Sequence, residues 1–211
     1  MKVLALAAVA FAATSTLDLR TVILRPAQVG AGYQLIARSD GFGVKAAPTL
    51  DLCGRKGYPS EKLRVDRLQV NYLKQKTQLG LSNEVVRYKP GGAKQAMREV
   101  GLHALSCPHT PVATGEKGIG PLRFTITRIK GPHLLKGYVA VRVRAVGKLT
   151  NGTHVDQTSY AVYQRLGDVL SGVYSFGPNT AAQKAFVLHA AEMSARTLST
   201  ALQQGPKGPP A

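Results

Sequence analysis

The sequence predicts an α+β fold: an antiparallel β-sheet with a C-terminal meander, helices packed on one face, and one disulfide. Three observations carry that expectation. Strand-like runs follow one another with tight-turn sequences between them, two stretches place apolar residues at helical spacing, and the chain has only two cysteines, Cys53 and Cys107.

The meander comprises Arg123 to Ile129, Gly137 to Leu149, Thr153 to Arg165 and Asp168 to Phe176. Asn151-Gly152 reads as a type I′ hairpin turn, in which both central residues need positive φ. Leu166-Gly167-Asp168 forms the next turn. A helix from Thr180 to about Gln204 closes the fold, with Thr180 and Gln183 as a capping box and Gly205-Pro206 as a stop. Phe186, Ala190, Met193, Thr197 and Ala201 form its expected inward stripe.

The first half is less regular. Leu19 to Leu24 suits a strand or a short helix, and Tyr33 to Ala37 a strand between glycine-rich segments. Pro59-Ser60-Glu61 starts a helix with Ser60 as its cap. Leu68, Val70 and Tyr72 alternate with Arg67, Gln69 and Asn71, the pattern of a half-buried strand. Glu84 to Lys89 alternates again, and Pro90-Gly91-Gly92 turns it into a helix burying Ala93, Ala96, Met97, Val100 and Ala104. Residues 108–121 form a long loop.

The ends and the charge place the chain. Met1-Lys2 precedes eleven apolar residues, Val3 to Ala13, then Thr14-Ser15-Thr16. That order predicts a signal peptide over residues 1–15, a single domain over 16–204 and a disordered tail over 205–211. The expected location is secreted, in the cell envelope. There Cys53 and Cys107 would most simply pair; the alternative is two buried thiols. The net charge of +17 attracts polyanions, among them acidic cell-wall polymers and acidic lipid. Nucleic acid is disfavoured by export, by the absence of tryptophan and by the lack of a stacking motif.

Strand parity nominates a site. Val139, Val141 and Val143 point to one face of the sheet, the face to be covered by the terminal helix, and Tyr138, Arg142 and Arg144 to the other. In register across the hairpin, the free face would also carry some of Tyr160, Tyr163 and Tyr174. Guanidinium groups and phenol rings on a bare sheet suit an anionic or sugar-like ligand; a plain solvated face is the competing description. No nucleophile elbow or metal-spaced histidines occur in the sequence, so neither catalytic residues, metal nor cofactor are expected.

Leu50-Asp51-Leu52-Cys53-Gly54, Tyr58-Pro59-Ser60-Glu61, the run from Ser82 to Ala93, Ser106-Cys107-Pro108 and the run from Arg165 to Tyr174 together resemble the PknH-like extracellular sensor domain. Such domains occur on actinobacterial serine/threonine kinases and on free-standing secreted proteins and lipoproteins. The resemblance spans roughly residues 18–203. It implies an α+β domain with a cleft, binding an undefined ligand and bringing no catalytic residues. The sequence thus points to a sensor-like binding domain for an anionic or polar envelope ligand. A module docking onto an envelope or membrane-bound protein partner and an unrecognised secreted enzyme are the rivals.

Overall fold

The computed structural model describes residues 17–39, 47–55, 57–104, 106–115, 117–131, 133–179 and 182–203. The expected signal peptide, the tail and Thr180 lie outside them. Seven strands form one antiparallel sheet: β1 Gln34–Ser39, β2 Arg64–Lys74, β3 Leu79–Tyr88, β4 Ile119–Arg128, β5 Val139–Leu149, β6 His154–Leu166 and β7 Val169–Phe176. Their spatial order is β1-β2-β3-β7-β6-β5-β4. The last four are the expected meander. The helices are α1 Pro26–Val29, α2 Gly92–His103 and α3 Ala182–Gln203. Among the described residues no helix is long and apolar enough to cross a membrane.

The central strands dictate a three-layer arrangement. In β3 Val85 and Val86 are both fully buried, and in β7 Leu170 and Val173 are too, although each pair points to opposite faces. A sheet apolar on both faces needs cover on both. Val162, Val173 and Val85 pack with Val187, Ala190, Ala191 and Leu198 of α3. Val86, Leu170, Val141 and Ala161 pack with Ala93, Ala96, Met97 and Val100 of α2 on the other side. The α+β class, the antiparallel sheet and the disulfide match expectation, but the helices lie on both faces. The valine face of β5 accordingly meets α2 instead of the terminal helix.

Several local expectations shift for identifiable reasons. Leu19–Thr21 is a 3₁₀ turn capped by the Asp18 carboxylate, and Pro59–Leu63 is a second one. Ser60 lies inside it, with Tyr58 at the cap position, and gives its hydroxyl to Glu99 of α2 at 2.5 Å. Of Asn151 and Gly152 only the glycine has positive φ. Thr150 to Gly152 is therefore a three-residue loop ending in a left-handed residue, closed by Leu149 N–H to Thr153 O at 2.8 Å. The buried stripe of α3 is Val187, Ala190, Ala191, Ser194 and Leu198. Phe186 and Thr197 flank it because the N-terminal segment meets α3 there: Phe186 stacks on Tyr33 at 4.5 Å, and Gln28 donates to Thr197 at 2.9 Å. The Gln183 side chain is buried with no hydrogen-bond partner among the described residues, and the expected capping box with Thr180 lies outside them.

Helix α2 begins where expected. Gly91 takes the left-handed conformation before it, and its N–H is received by Asp168 at 2.9 Å from the β6–β7 turn. Ala93, Ala96, Met97, Val100 and Ala104 are all buried, the stripe that their spacing predicts.

Candidate functional site

The segment 47–55 crosses the α2 face as a strap. Both oxygens of the Glu61 carboxylate accept its backbone, from Thr49 N–H at 3.0 Å and Leu50 N–H at 3.1 Å. Arg64 pairs with Glu61 at 3.1 Å and donates to Ala47 O at 2.8 Å. Burial pushes the Glu61 carboxyl up from the usual carboxylate range, and the strap amides and Arg64 pull it back. Leu50 is then driven into the core. Beyond it, Cys53 and Gly54 both have positive φ in the tight turn from Leu52 to Arg55, the pattern of a type I′ turn. Cys53 is bonded to Cys107 with the Cα atoms 5.7 Å apart, which fastens the strap to the loop after α2.

Under this strap lies a half-enclosed pocket of about 250 Å³. Phe124, Ile126 and Val143 supply apolar walls, Tyr163 and Tyr174 an aromatic one, and Asp51 to Gly54 the rim. The two tyrosine rings meet edge to face at 5.4 Å. Tyr174 lies back along its own strand over Gly172, where an added Cβ would sit 1.9 Å from the hydroxyl. A glycine is required there by that close approach.

The Tyr174 hydroxyl is aimed by a buried polar network. It donates to Glu84 at 3.3 Å, and Glu84 also receives Thr49 Oγ1 at 3.0 Å and the guanidinium of Arg67. Both side chains of the Arg67–Glu84 ion pair are 4% exposed. Tyr58 and Tyr88 add two more buried hydroxyls, near the Leu52 backbone and the Thr49 side chain respectively. Burial first, with Glu84 adding to it, pushes the Tyr88, Tyr163 and Tyr174 phenols far above the ordinary tyrosine range. All three are neutral hydroxyls at neutral pH. The pocket can thus hold an apolar group by contact and orient a polar one by hydrogen bonding.

The six residues nominated by strand parity fall on two faces. Tyr138, Arg142, Arg144 and Tyr160 share the α3 side of the outer strands, with Arg142 directly opposite Tyr160. Tyr163, three positions from Tyr160, and Tyr174 pack on the α2 side and line the pocket, which Tyr160 also touches from its place in the strand. Arg142 and Arg144 are exposed, whereas Tyr138 and Tyr160 are half-buried against the α3 core. Tyr138 spends its hydroxyl on Gly131, at 3.1 Å from the N–H and 3.2 Å from the carbonyl. Arg144 forms a two-pronged pair with Asp156 at 2.8 and 2.6 Å, which holds that carboxyl below the usual range. Arg142 adds to the field that lowers the Asp156 carboxyl without contacting it as an ion pair, and Arg123 forms no ion pair among the described residues.

Parity reasoning missed Arg67, Glu84, Phe124 and Ile126. A signal for Glu84 existed: Ser82-Asn83-Glu84 interrupts an otherwise apolar central strand, where polar side chains must find buried partners. Asn83, on the opposite face, accepts Leu24 N–H at 2.9 Å and donates to Gly172 O at 3.0 Å. Among the described residues no three His, Cys, Asp or Glu side chains gather into a metal-binding group.

No protein-family model and no curated protein matches the sequence. Among solved structures, the extracellular domain of PknH from Mycobacterium tuberculosis aligns over 85% of this chain and 94% of that one, with a TM-score of 0.53 and 13% identity. This chain has a PknH-ectodomain-like fold. A putative uncharacterized protein from Mycobacterium smegmatis, the Rv0999 ortholog, aligns over 89% of this chain and 96% of that one, with a TM-score of 0.42 and 11% identity. At such identities the likeness to the PknH ectodomain is one of backbone path, in line with the fold that the sequence motifs imply.

Proposed function

We propose that this chain is an extracellular, non-catalytic, sensor-like domain that binds a polar or anionic envelope ligand with an apolar portion. The apolar portion enters the pocket beneath the strap. One observation carries the reading: a pocket already open, with its walls fixed by the Arg67–Glu84 network and its rim by a disulfide, needs little reorganisation to accept a ligand. Export to an oxidising compartment is supported by the bonded cysteines and by the likeness of fold to an extracellular domain.

The test is a screen of envelope-derived amphiphiles against isotope-labelled protein, reading the methyl signals of Ile126 and Val143. Binders should shift these signals, and Val143→Trp, which fills the cavity, should abolish the shifts. A binder that leaves the pocket methyls unmoved, or that binds the filled variant equally well, would sink the reading.

The exposed Arg123 and Arg142 and the net charge of +17 favour a second contribution from the opposite face. Acidic cell-wall polymer or acidic lipid would be drawn there, with binding that weakens as salt rises. Salt-insensitive binding would remove this contribution.

A further inference from the structure

Strand β4 is an edge of the sheet, and its hydrogen-bonding directions can be assigned residue by residue. Leu122 exchanges both backbone bonds with Val112, at 2.9 and 2.8 Å, on the side away from β5. Ile129 N–H reaches Ala140 O on the β5 side. Even-numbered residues of β4 therefore turn their N–H and C=O outward, and odd-numbered ones bond to β5. Phe124, Ile126 and Arg128 continue the outward row past Val112, and no described residue pairs with their backbones. Among the described residues, three residues of this edge are left unpaired.

The two faces flanking this edge differ in chemistry. On one side Phe124 and Ile126 line the pocket. On the other, Arg123, Thr125 and Thr127 stand exposed, with Arg144 behind Thr125 and Arg142 behind Thr127. Strands lie about 4.8 Å apart, so Arg142 can lean over a short threonine to reach a strand added outside β4. Arg123 is already on the edge. Edge charges of this kind discourage a second copy from pairing, because two such rows would meet like to like. They favour a strand of opposite sign.

We propose that the β4 edge from Phe124 to Arg128 receives an extended peptide segment as an eighth strand. Its alternate residues are acidic toward Arg123 and Arg142, and its intervening residues are apolar toward the pocket. The inference rests on the pocket reading above for the second half of that pattern. Edge pairing itself stands on the backbone geometry. The opposite edge offers less, because β1 is bulged between Leu35 and Ala37.

The experiment uses the whole labelled protein and end-blocked synthetic peptides of about ten residues, long enough to span the free edge. One alternates Glu with Val, a second groups the same residues into an acidic and an apolar block, and a third alternates Lys with Val. The acidic alternating peptide should slow hydrogen exchange at the amides of Phe124, Ile126 and Arg128 by about tenfold or more. The blocked and lysine peptides should not. Ile126→Pro removes one outward donor without touching a bond to β5 and should weaken the alternating peptide by about tenfold. Arg123→Glu/Arg142→Glu should do the same while leaving thermal stability unchanged.

Absence of amide protection, or equal protection by the blocked or lysine peptide, overturns the proposal. Protection of the edge without any change at Val143 would leave strand addition standing and count against the pocket reading. Pocket occupancy by small amphiphiles with an unprotected edge would do the reverse.

Discussion

The Arg67–Glu84 pair offers the most decisive test of how the site is built. Glu84 accepts from Arg67, Thr49 and Tyr174, and both charged side chains are 4% exposed. Replacing Glu84 with Gln keeps the shape and removes the charge, so Arg67 remains buried without a counter-ion. Breaking a buried pair this way costs about 3–5 kcal/mol, because desolvation of the survivor is no longer offset. At roughly 2–4 °C per kcal/mol for a domain of this size, the melting temperature should fall by about 6–20 °C. In a cycle of Met substitutions, Arg67→Met/Glu84→Met removes the orphaned charge, so it should cost less than the sum of Arg67→Met and Glu84→Met, with a coupling of about 2 kcal/mol or more. Urea unfolding under non-reducing conditions supplies the four free energies. A Glu84→Gln cost below about 1 kcal/mol, or strict additivity, would refute the buried network as the support of the pocket wall.

Three other outcomes follow from the same geometry. Gly172→Ala should force the Tyr174 ring off its strand, break its bond to Glu84, and cost about 1–3 kcal/mol; an unchanged ring spectrum would count against that packing. Tyr88, Tyr163 and Tyr174 have folded-state values above the unfolded one. The stability of their neutral state is complete below about pH 10 and falls above it, by about 1.4 kcal/mol per pH unit for each ring. Tyrosinate absorbance from these three should therefore appear together with loss of helix circular dichroism, and ionisation of the folded protein beforehand would contradict their burial. Cys53→Ser/Cys107→Ser should cost about 4 kcal/mol by the chain-entropy estimate and loosen the strap, seen as faster exchange at the Leu52 to Arg55 amides.

Local pattern was enough for much of the scaffold. The alternating runs of β5, β6 and β7 and the α2 stripe were legible because period-2 and period-3.6 patterns are properties of adjacent residues. The direct pairing of Arg142 with Tyr160 was not legible: a two-residue turn at Asn151-Gly152 would set Arg142 opposite Ala161, and the three-residue loop moves the register by one. Where a feature depended on segments far apart in the chain, the sequence was silent or misleading. The stripe of α3 rotated because the N-terminal segment packs on its flank. The sheet gained cover on both faces because β3 and β7, non-adjacent in sequence, lie at its centre.

For the site the division is the same. By itself the sequence determined a basic chain with two cysteines able to pair, arginines on one face of β5, and a helix ready to follow Pro90-Gly91-Gly92. Only the tertiary structure decided that Tyr163 and Tyr174 turn away from those arginines into a pocket, and that Glu84, Arg67 and Thr49 hold one of its hydroxyls. Those contacts join residues up to 90 positions apart. Their partners are chosen by strand order and by a strap laid across the sheet, and neither leaves a periodic trace in the sequence.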